Sequence, residues 1–388
     1  MEDDVPIQIT VFDKAYQRRG PIAAPESFNA LMVWNTPGLA TFSVDASHQR
    51  VDDLVTPGAR CVVTYRPTPS TTVHITSGLV AELKGESSGV GGTRTFGVLD
   101  DLDEINRILG YPVPGSPLSA QSATGYDVRT GPLEKILKDY VSANVAGQGI
   151  PRLTVQASSG AGPTMTEKIR VHPLGERLLP LATNNGLGVR IVQTGTTRQL
   201  QTWTPATYPR VLTEESEVVQ SAEFAYSPPE VTRIVVGIGG EDVARQFFGP
   251  PTTGYVDTAA EALWGIRRQE FIDARDIAQD DPNKAALALQ RAKERLAEGG
   301  AKASLKAELV EAGGFRFGVA FGLGDVVSVK PSGGEVITDR VREVEIDWTA
   351  AGGLVVTPRV GEWQDSQTDD LYRAVRTALR AIHDLGAR

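Results

Sequence analysis

A predominantly β, α+β fold of several small units is predicted by three observations. Glycine (40) and proline (24) punctuate the chain throughout. Val and Thr fill the stretches between them, alternating with polar residues, and only a few segments switch to helical spacing. At 388 residues the chain exceeds one typical core, so roughly two to four packed units are expected. An apolar fraction of 40% with 22% charged residues, spread along the whole length, supplies those cores and excludes wholesale disorder.

Residues 1–100 read as a first small antiparallel barrel or sandwich. Ile7, Ile9 and Val11 alternate, as do Phe42 with Val44 and Val73 with Ile75, with Phe96 between Thr95 and Gly97. Pro57-Gly58 and Gly91-Gly92 supply turns, and the glycine-rich stretch from Gly85 to Thr93 reads as a hairpin tip.

Residues 101–220 read as a mixed α/β domain. Leu102, Ile105, Ile108 and Leu109 share a helical face that stops at Gly110, and a Pro- and Gly-rich connector runs from Tyr111 to Gly131. Pro132 then opens an amphipathic helix carrying Leu133, Ile136, Leu137, Tyr140 and Val141, with Gly147 beyond its end. Short strands follow at Leu153 with Val155, Ile169 with Val171, Val189 with Ile191 and Leu200 with Thr202, around a helical turn from Leu174 to Leu181.

A second barrel is expected from residues 221–241 and 304–362, interrupted by a helical insertion at 242–303. Its strands are read at Glu223 to Tyr226, Ile234 to Val236, Phe315 to Phe321, Val326 to Val329, Val341 to Ile346 and Leu354 to Val360. Inside the insertion Asp281 caps and Pro282 opens a helix bearing Leu287, Leu289 and Leu296, which ends at Gly299-Gly300. Residues 363–388 read as a last helix, capped by Ser366 and Asp369, whose apolar stripe of Leu371, Val375, Leu379 and Ile382 has to dock on something.

The net charge of −9 argues against a chain whose main work is gripping nucleic-acid phosphates. Cys61 is the single cysteine, so neither a disulfide framework nor a thiolate metal cluster is available, and a buried packing thiol made in a reducing cytoplasm is expected. The acidic start Met1-Glu2-Asp3-Asp4 lacks the features of a signal peptide, and no window approaches the roughly 20 apolar residues that span a bilayer.

No catalytic, cofactor-binding or metal-binding residue is expected. Gly237-Ile238-Gly239-Gly240 follows an apolar strand, but the third glycine of a dinucleotide fingerprint would fall at Asp242. His48, His74, His172 and His383 are isolated, which leaves no zinc spacing and singles out no base for a nucleophilic triad. Paired carboxylates carry no local signature. The densest acidic cluster, Asp273, Asp276, Asp280 and Asp281, therefore reads first as a solvated helix face with caps and otherwise as a cation or glycosidase site. Trp34, Trp203, Trp264, Trp348 and Trp363 are scattered, which suits packing better than a sugar-stacking platform.

Several blocks carry a resemblance. Val11-Phe12-Asp13 with Arg19-Gly20, then Glu26-Ser27, Trp34, Gly38 and the strand Thr41 to Val44, resembles the start of the tail-hub minor tail proteins of actinobacterial siphophages. Gly237 to Glu241 with Arg245, the stretch from Arg268 through Glu270, Phe271, Asp273 and Ala274 to Asp276, and Leu323 to Val329 followed by Arg340 to Val344 are similar to later blocks of that family, in the same order. The resemblance implies a non-enzymatic homotrimeric hub at the virion tail tip, with two barrels per subunit adapting a three-fold tip to a six-fold tube. Its implied partners are the distal tail protein ring, the tape measure protein and tip fibre or receptor-binding proteins. DNA would pass through transiently, and an acid-lined opening would let it slide without sticking. A glycan-processing enzyme and a carbohydrate-binding adhesin are the alternatives from other classes.

Overall fold

The alternation at Ile7, Ile9 and Val11 becomes β1 (Ile7–Phe12), with all three side chains buried. The computed structural model describes residues 6–361 apart from 24, 86–90, 241, 301 and 333–335, so the expected terminal helix at 363–388, with Trp363 and His383, lies outside the described residues. After β1 come β2 (Arg18–Ile22), β3 (Ser27–Val33), β4 (Thr36–Asp45), the short helix α1 (Val51–Val55), β5 (Arg60–Thr68), β6 (Thr71–Gly85) and β7 (Thr93–Asp100). These strands lie antiparallel in the order β3-β4-β7-β6-β5-β1-β2. Phe42 and Phe96 face each other across β4 and β7 with stacked rings 5.6 Å apart. Bulges in β1, β5 and β6 bend the strands over this core.

The mixed unit opens with a 3-10 turn (Asp101–Asn106) that buries Leu102 and Ile105, followed by β8 (Leu109–Gly110) and β9 (Asp127–Pro132). Helix α2 (Leu133–Gln148) buries Leu133, Ile136, Leu137, Tyr140 and Val141, the stripe read from spacing. Pro132 stands one place earlier than expected, at the N-cap, and the terminating glycine is Gly149 (φ 64°), not Gly147. Gly147 sits inside the last turn, where a methyl group would collide with the Gly115 backbone. Then follow β10 (Leu153–Val155), β11 (Thr164–Ile169), β12 (His172–Pro173), α3 (Leu174–Asn184), β13 (Gly188–Thr194) and β14 (Thr197–Trp203). Val171, expected beside Ile169 in a strand, has φ 49° and is exposed. The leucines of α2 and α3 share one core with Leu153, Val189, Ile191 and Leu200 from the sheet β10-β14-β13.

Beyond β15 (Thr207–Thr213) and β16 (Val219–Ser227), strand β17 (Arg233–Ile238) departs from the expected second barrel. It pairs instead with β18 (Phe247–Phe248) and, in parallel, with β19 (Gln269–Ala274), which it reaches through α4 (Thr258–Trp264). Helix α5 (Lys284–Glu298) covers this sheet, and its Leu287, Ala288 and Ala292 close a core over Ile234, Val236 and Ile238. The stretch expected to be purely helical thus builds an α/β layer, because the apolar run at 234–236 needs burial on the side that α5 supplies.

Strands β20 (Lys302–Leu309), β21 (Val326–Lys330), β22 (Ile337–Thr349) and β23 (Gly353–Val360) complete the molecule. Phe315, Phe317 and Phe321 alternate as a strand would, yet they lie in a bridged loop broken by positive φ at Gly313, Gly314 and Gly318. Their rings are buried all the same, Phe317 stacking on Tyr65 of β5 at 6.2 Å. The two strand sets expected as separate barrels are halves of one 13-stranded sheet, joined where β22 pairs with β3 from Glu343↔Val33 to Thr349↔Ser27. No hydrogen-bonded ring closes among the described residues. One apolar core runs through both halves, from Ile9 and Phe42 to Val344 and Val360. No helix among the described residues is long and apolar enough to cross a membrane.

Asn35 fastens the large sheet to the mixed unit. It turns the chain between β3 and β4 at φ 51°, a left-handed conformation that Asn tolerates. Its buried amide receives the Val189 N–H at 2.8 Å and donates to the Leu187 carbonyl at 2.9 Å and to the Thr183 hydroxyl at 3.0 Å. Asn35→Ala strands two backbone groups and adds αL strain, so urea denaturation should show a loss of about 2–4 kcal/mol.

Candidate functional site

Several charged residues hold the large sheet, the mixed unit and the α/β layer against one another. Arg60 of β5, 3% exposed, donates from Nη2 to both oxygens of Asp101 at 2.6 and 2.5 Å and from Nε to Gln193 of β13 at 2.9 Å. Ser77 of β6 donates to Asp101 at 2.8 Å and accepts from the Gln193 N–H at 3.1 Å. Arg198 of β14 reaches Glu104 at 2.8 Å, and the guanidinium groups of Arg60 and Arg152 lie over the Tyr16 ring. The large sheet and the mixed unit are therefore coupled by a largely buried ionic network. Within the mixed unit, Glu134 in the first turn of α2 accepts from Lys138 at 2.6 Å, from Thr202 at 2.8 Å and from the backbone of Ser159 and Ala161. Burial opposes its ionisation, but these donors outweigh burial and hold its carboxyl well below the usual range.

The acidic cluster resolves into separate ion pairs. Asp273 binds Arg245 at 2.5 Å, and Asp276 binds Arg291 of α5 at 2.5 Å and Lys168 of β11 at 3.0 Å. Burial would raise Asp276, yet the hydrogen bonds from Arg291 and Lys168 hold it down at about 2. Asp281 accepts from the Asn283 N–H at 2.7 Å, and Asp280 is exposed. Two of the four carboxylates thus carry their own counter-charges, and Asp276 ties the α/β layer to the mixed unit. Among the described residues no three His, Cys, Asp or Glu side chains converge as metal ligands. The Gly237–Gly240 loop is filled from within. Gln279 donates to the Gly239 carbonyl at 3.0 Å, and a methyl on Gly239 would meet the Ile277 carbonyl at 2.9 Å. Cys61 is fully buried, and burial pushes its thiol up, out of the reactive range.

One open feature has no counterpart in the sequence reading. Where β3, β6 and β13 approach the loop before β21 there is a cleft of about 250 Å³ with Met32, Ile75 and Leu323 in its walls. His74, Asp100 and Arg190 also line it, together with Trp203, whose ring meets that of Trp34 edge-on at 5.5 Å. His74 Nε2 is buried without a hydrogen-bond partner. Burial first and the Arg190 charge second depress His74 to about 4, while burial, aided by the neighbouring Asp101, pushes Asp100 up to about 7. In sequence His74 is one isolated histidine among four, since Arg190 and Trp203 arrive from segments more than a hundred positions downstream.

The scaffold is predominantly β, and buried ionic groups such as Arg60 with Asp101 and Lys138 with Glu134 pair within it. The chain belongs to the family of the Siphovirus ReqiPepy6 Gp37-like protein, whose model matches residues 8–362. Its fold is similar to that of the 43 kDa tail protein of prophage MuSo2 from Shewanella oneidensis, at 12% identity and a TM-score of 0.51 over 91% of this chain and 97% of that one. It is similar as well to a tail protein from Neisseria meningitidis MC58, at 14% identity and 0.51 over 92% and 96% of the two chains. Prophage tail protein gp18 from Listeria monocytogenes EGD-e matches at 10% identity and 0.51 over 97% and 99%. Among curated proteins none matches the sequence.

Proposed function

We propose that the chain is a non-enzymatic hub of the siphophage tail tip, assembling as a homotrimer around an axial opening through which DNA leaves. The observation that carries this reading is the pairing of β22 with β3, which fuses two strand-rich halves into one sheet over a single core. Three such chains would offer six β-rich units in fixed relation, the arrangement needed between a six-fold tube and a three-fold tip, and closed symmetry is the usual solution for such assemblies. The family match and the shared fold of prophage tail proteins over more than nine-tenths of the chain support a place in the tail. The pairing of Asp273 with Arg245 and of Asp276 with Arg291 weighs against either serving as the protonated acid of a glycosidase. The three buried clusters are our proposed domain cores. The distal tail ring, the tape measure protein and the tip fibres are the proposed neighbours.

Light scattering combined with negative-stain imaging of the purified chain tests the reading. A three-fold ring with an axial opening is the expected result. A monomer that stays monomeric on the purified distal tail ring would sink it.

A further inference from the structure

The cleft at the junction of β3, β6 and β13 has the attributes of a binding site and stands apart from the hub reading. Arg190 lies on its rim with the guanidinium carbon 5.2 Å from the centre of the Trp203 ring. Among the described residues it donates through Nε to Gln201 at 3.1 Å and pairs with no carboxylate, and burial alone accounts for its weakened hold on its proton. That isolation is unusual in a chain where Arg60, Arg233, Arg291 and Arg295 all find acids. The second, independent observation is His74 Nε2, buried, unpartnered and part of the same cleft. A buried polar atom without a partner costs free energy unless something entering the site supplies one.

The carboxylates already in the cleft do not fill that role. Asp100 accepts from the Leu102 N–H at 2.7 Å and the Thr76 hydroxyl at 3.2 Å, and Asp325 accepts from the N–H groups of Ala206 and Gly322, both at 2.7 Å. Size narrows the occupant. About 250 Å³ falls below the volume usual for a drug-sized ligand and suits a group as large as one side chain. Charge narrows it further, since one guanidinium matches a singly charged carboxylate better than a phosphate.

We propose that this cleft binds a carboxylate carried on a short apolar stem, with Arg190 as its counter-charge, His74 donating from Nε2–H, and Met32, Ile75 and Leu323 around the stem. An acidic side chain of a neighbouring protein and a free short-chain carboxylic acid share that chemistry.

The test uses the whole protein and three probes: butyrate, its neutral isostere butyramide, and N-acetyl-leucyl-glutamate amide, which has a side-chain carboxylate and no free terminus. Calorimetry and the NMR signals of the His74 ring and Arg190 Nε–H are read together. Saturable butyrate binding that moves both signals is expected, with butyramide about 10-fold weaker or more and Arg190→Met losing a similar factor at an unchanged melting temperature. Tighter binding of the peptide assigns the site to a partner's acidic side chain, whereas butyrate binding as well or better assigns it to a free acid. Equal affinity for butyrate and butyramide, indifference to Arg190→Met, or no saturable binding overturns the proposal and leaves a water-filled cleft.

Discussion

Asp101→Ala is expected to destabilise the protein by about 3–5 kcal/mol, one of the two largest effects anticipated from any single change. The reason is the environment it leaves behind. Arg60 is 3% exposed and would keep its charge with only Gln193 and the Tyr16 ring for company. Removing one partner of a buried pair costs far more than the pair contributes, because the surviving ion has been taken out of water with nothing to answer it. Ser77 loses its acceptor in the same step, and through Ser77 the Gln193 backbone loses its fixed position. The double change Arg60→Met with Asp101→Leu should recover most of the loss, since apolar residues of similar volume often replace such pairs at little cost. Equilibrium urea unfolding of the two single variants and the double variant checks this. A loss below about 1 kcal/mol for Asp101→Ala, or a double variant as weak as the singles added together, would show that solvent or local rearrangement already shields the network.

Much of the fold was legible because it is local. The α2 stripe from Leu133 to Val141 and the alternation of β1 state their burial in their own spacing, and both are buried as read. Partner choice is not local. Nothing within Ser27–Val33 names Ile337–Thr349 as its neighbour more than 300 positions away, so the pairing that joins the two strand-rich halves is not legible in either segment. Phe315 to Phe321 misled for another reason. Alternating burial marks a strand only when the backbone between is extended, and glycines at positive φ let a loop bury the same rings. The candidate site was illegible because charge has meaning only with its surroundings. Asp276 looks like part of an acidic cluster until Lys168 and Arg291 are placed beside it, and His74 looks idle until Arg190 is placed across the cleft.

The same cleft should shape how stability responds to pH, through two opposed groups. His74 titrates near 6.5 when unfolded and near 4 in the folded protein, so its contribution is present above 6.5 and lost as pH falls through 4. Asp100 runs the other way: its acid form is retained up to about 7 against 3.8 unfolded, so its contribution is full below 3.8 and lost as pH rises through 7. Between pH 4.5 and 6.5 the unfolded chain binds the His74 proton that the native state lacks, and the native state binds the Asp100 proton that the unfolded chain lacks. The two slopes cancel, burial bearing on both groups, the Arg190 charge on His74 and the Asp101 and Asp103 charges on Asp100. Single replacements break the balance. Relative to the parent protein, His74→Gln should lose about 2–3 kcal/mol of stability as pH rises from 4.5 to 6.5, and Asp100→Asn should gain about as much over the same interval. Urea unfolding of the three proteins at half-unit pH steps gives the comparison. Parallel curves would mean that water enters the cleft freely enough to return both groups to their ordinary ranges, and the site would then lose the low-dielectric character on which carboxylate binding by Arg190 depends.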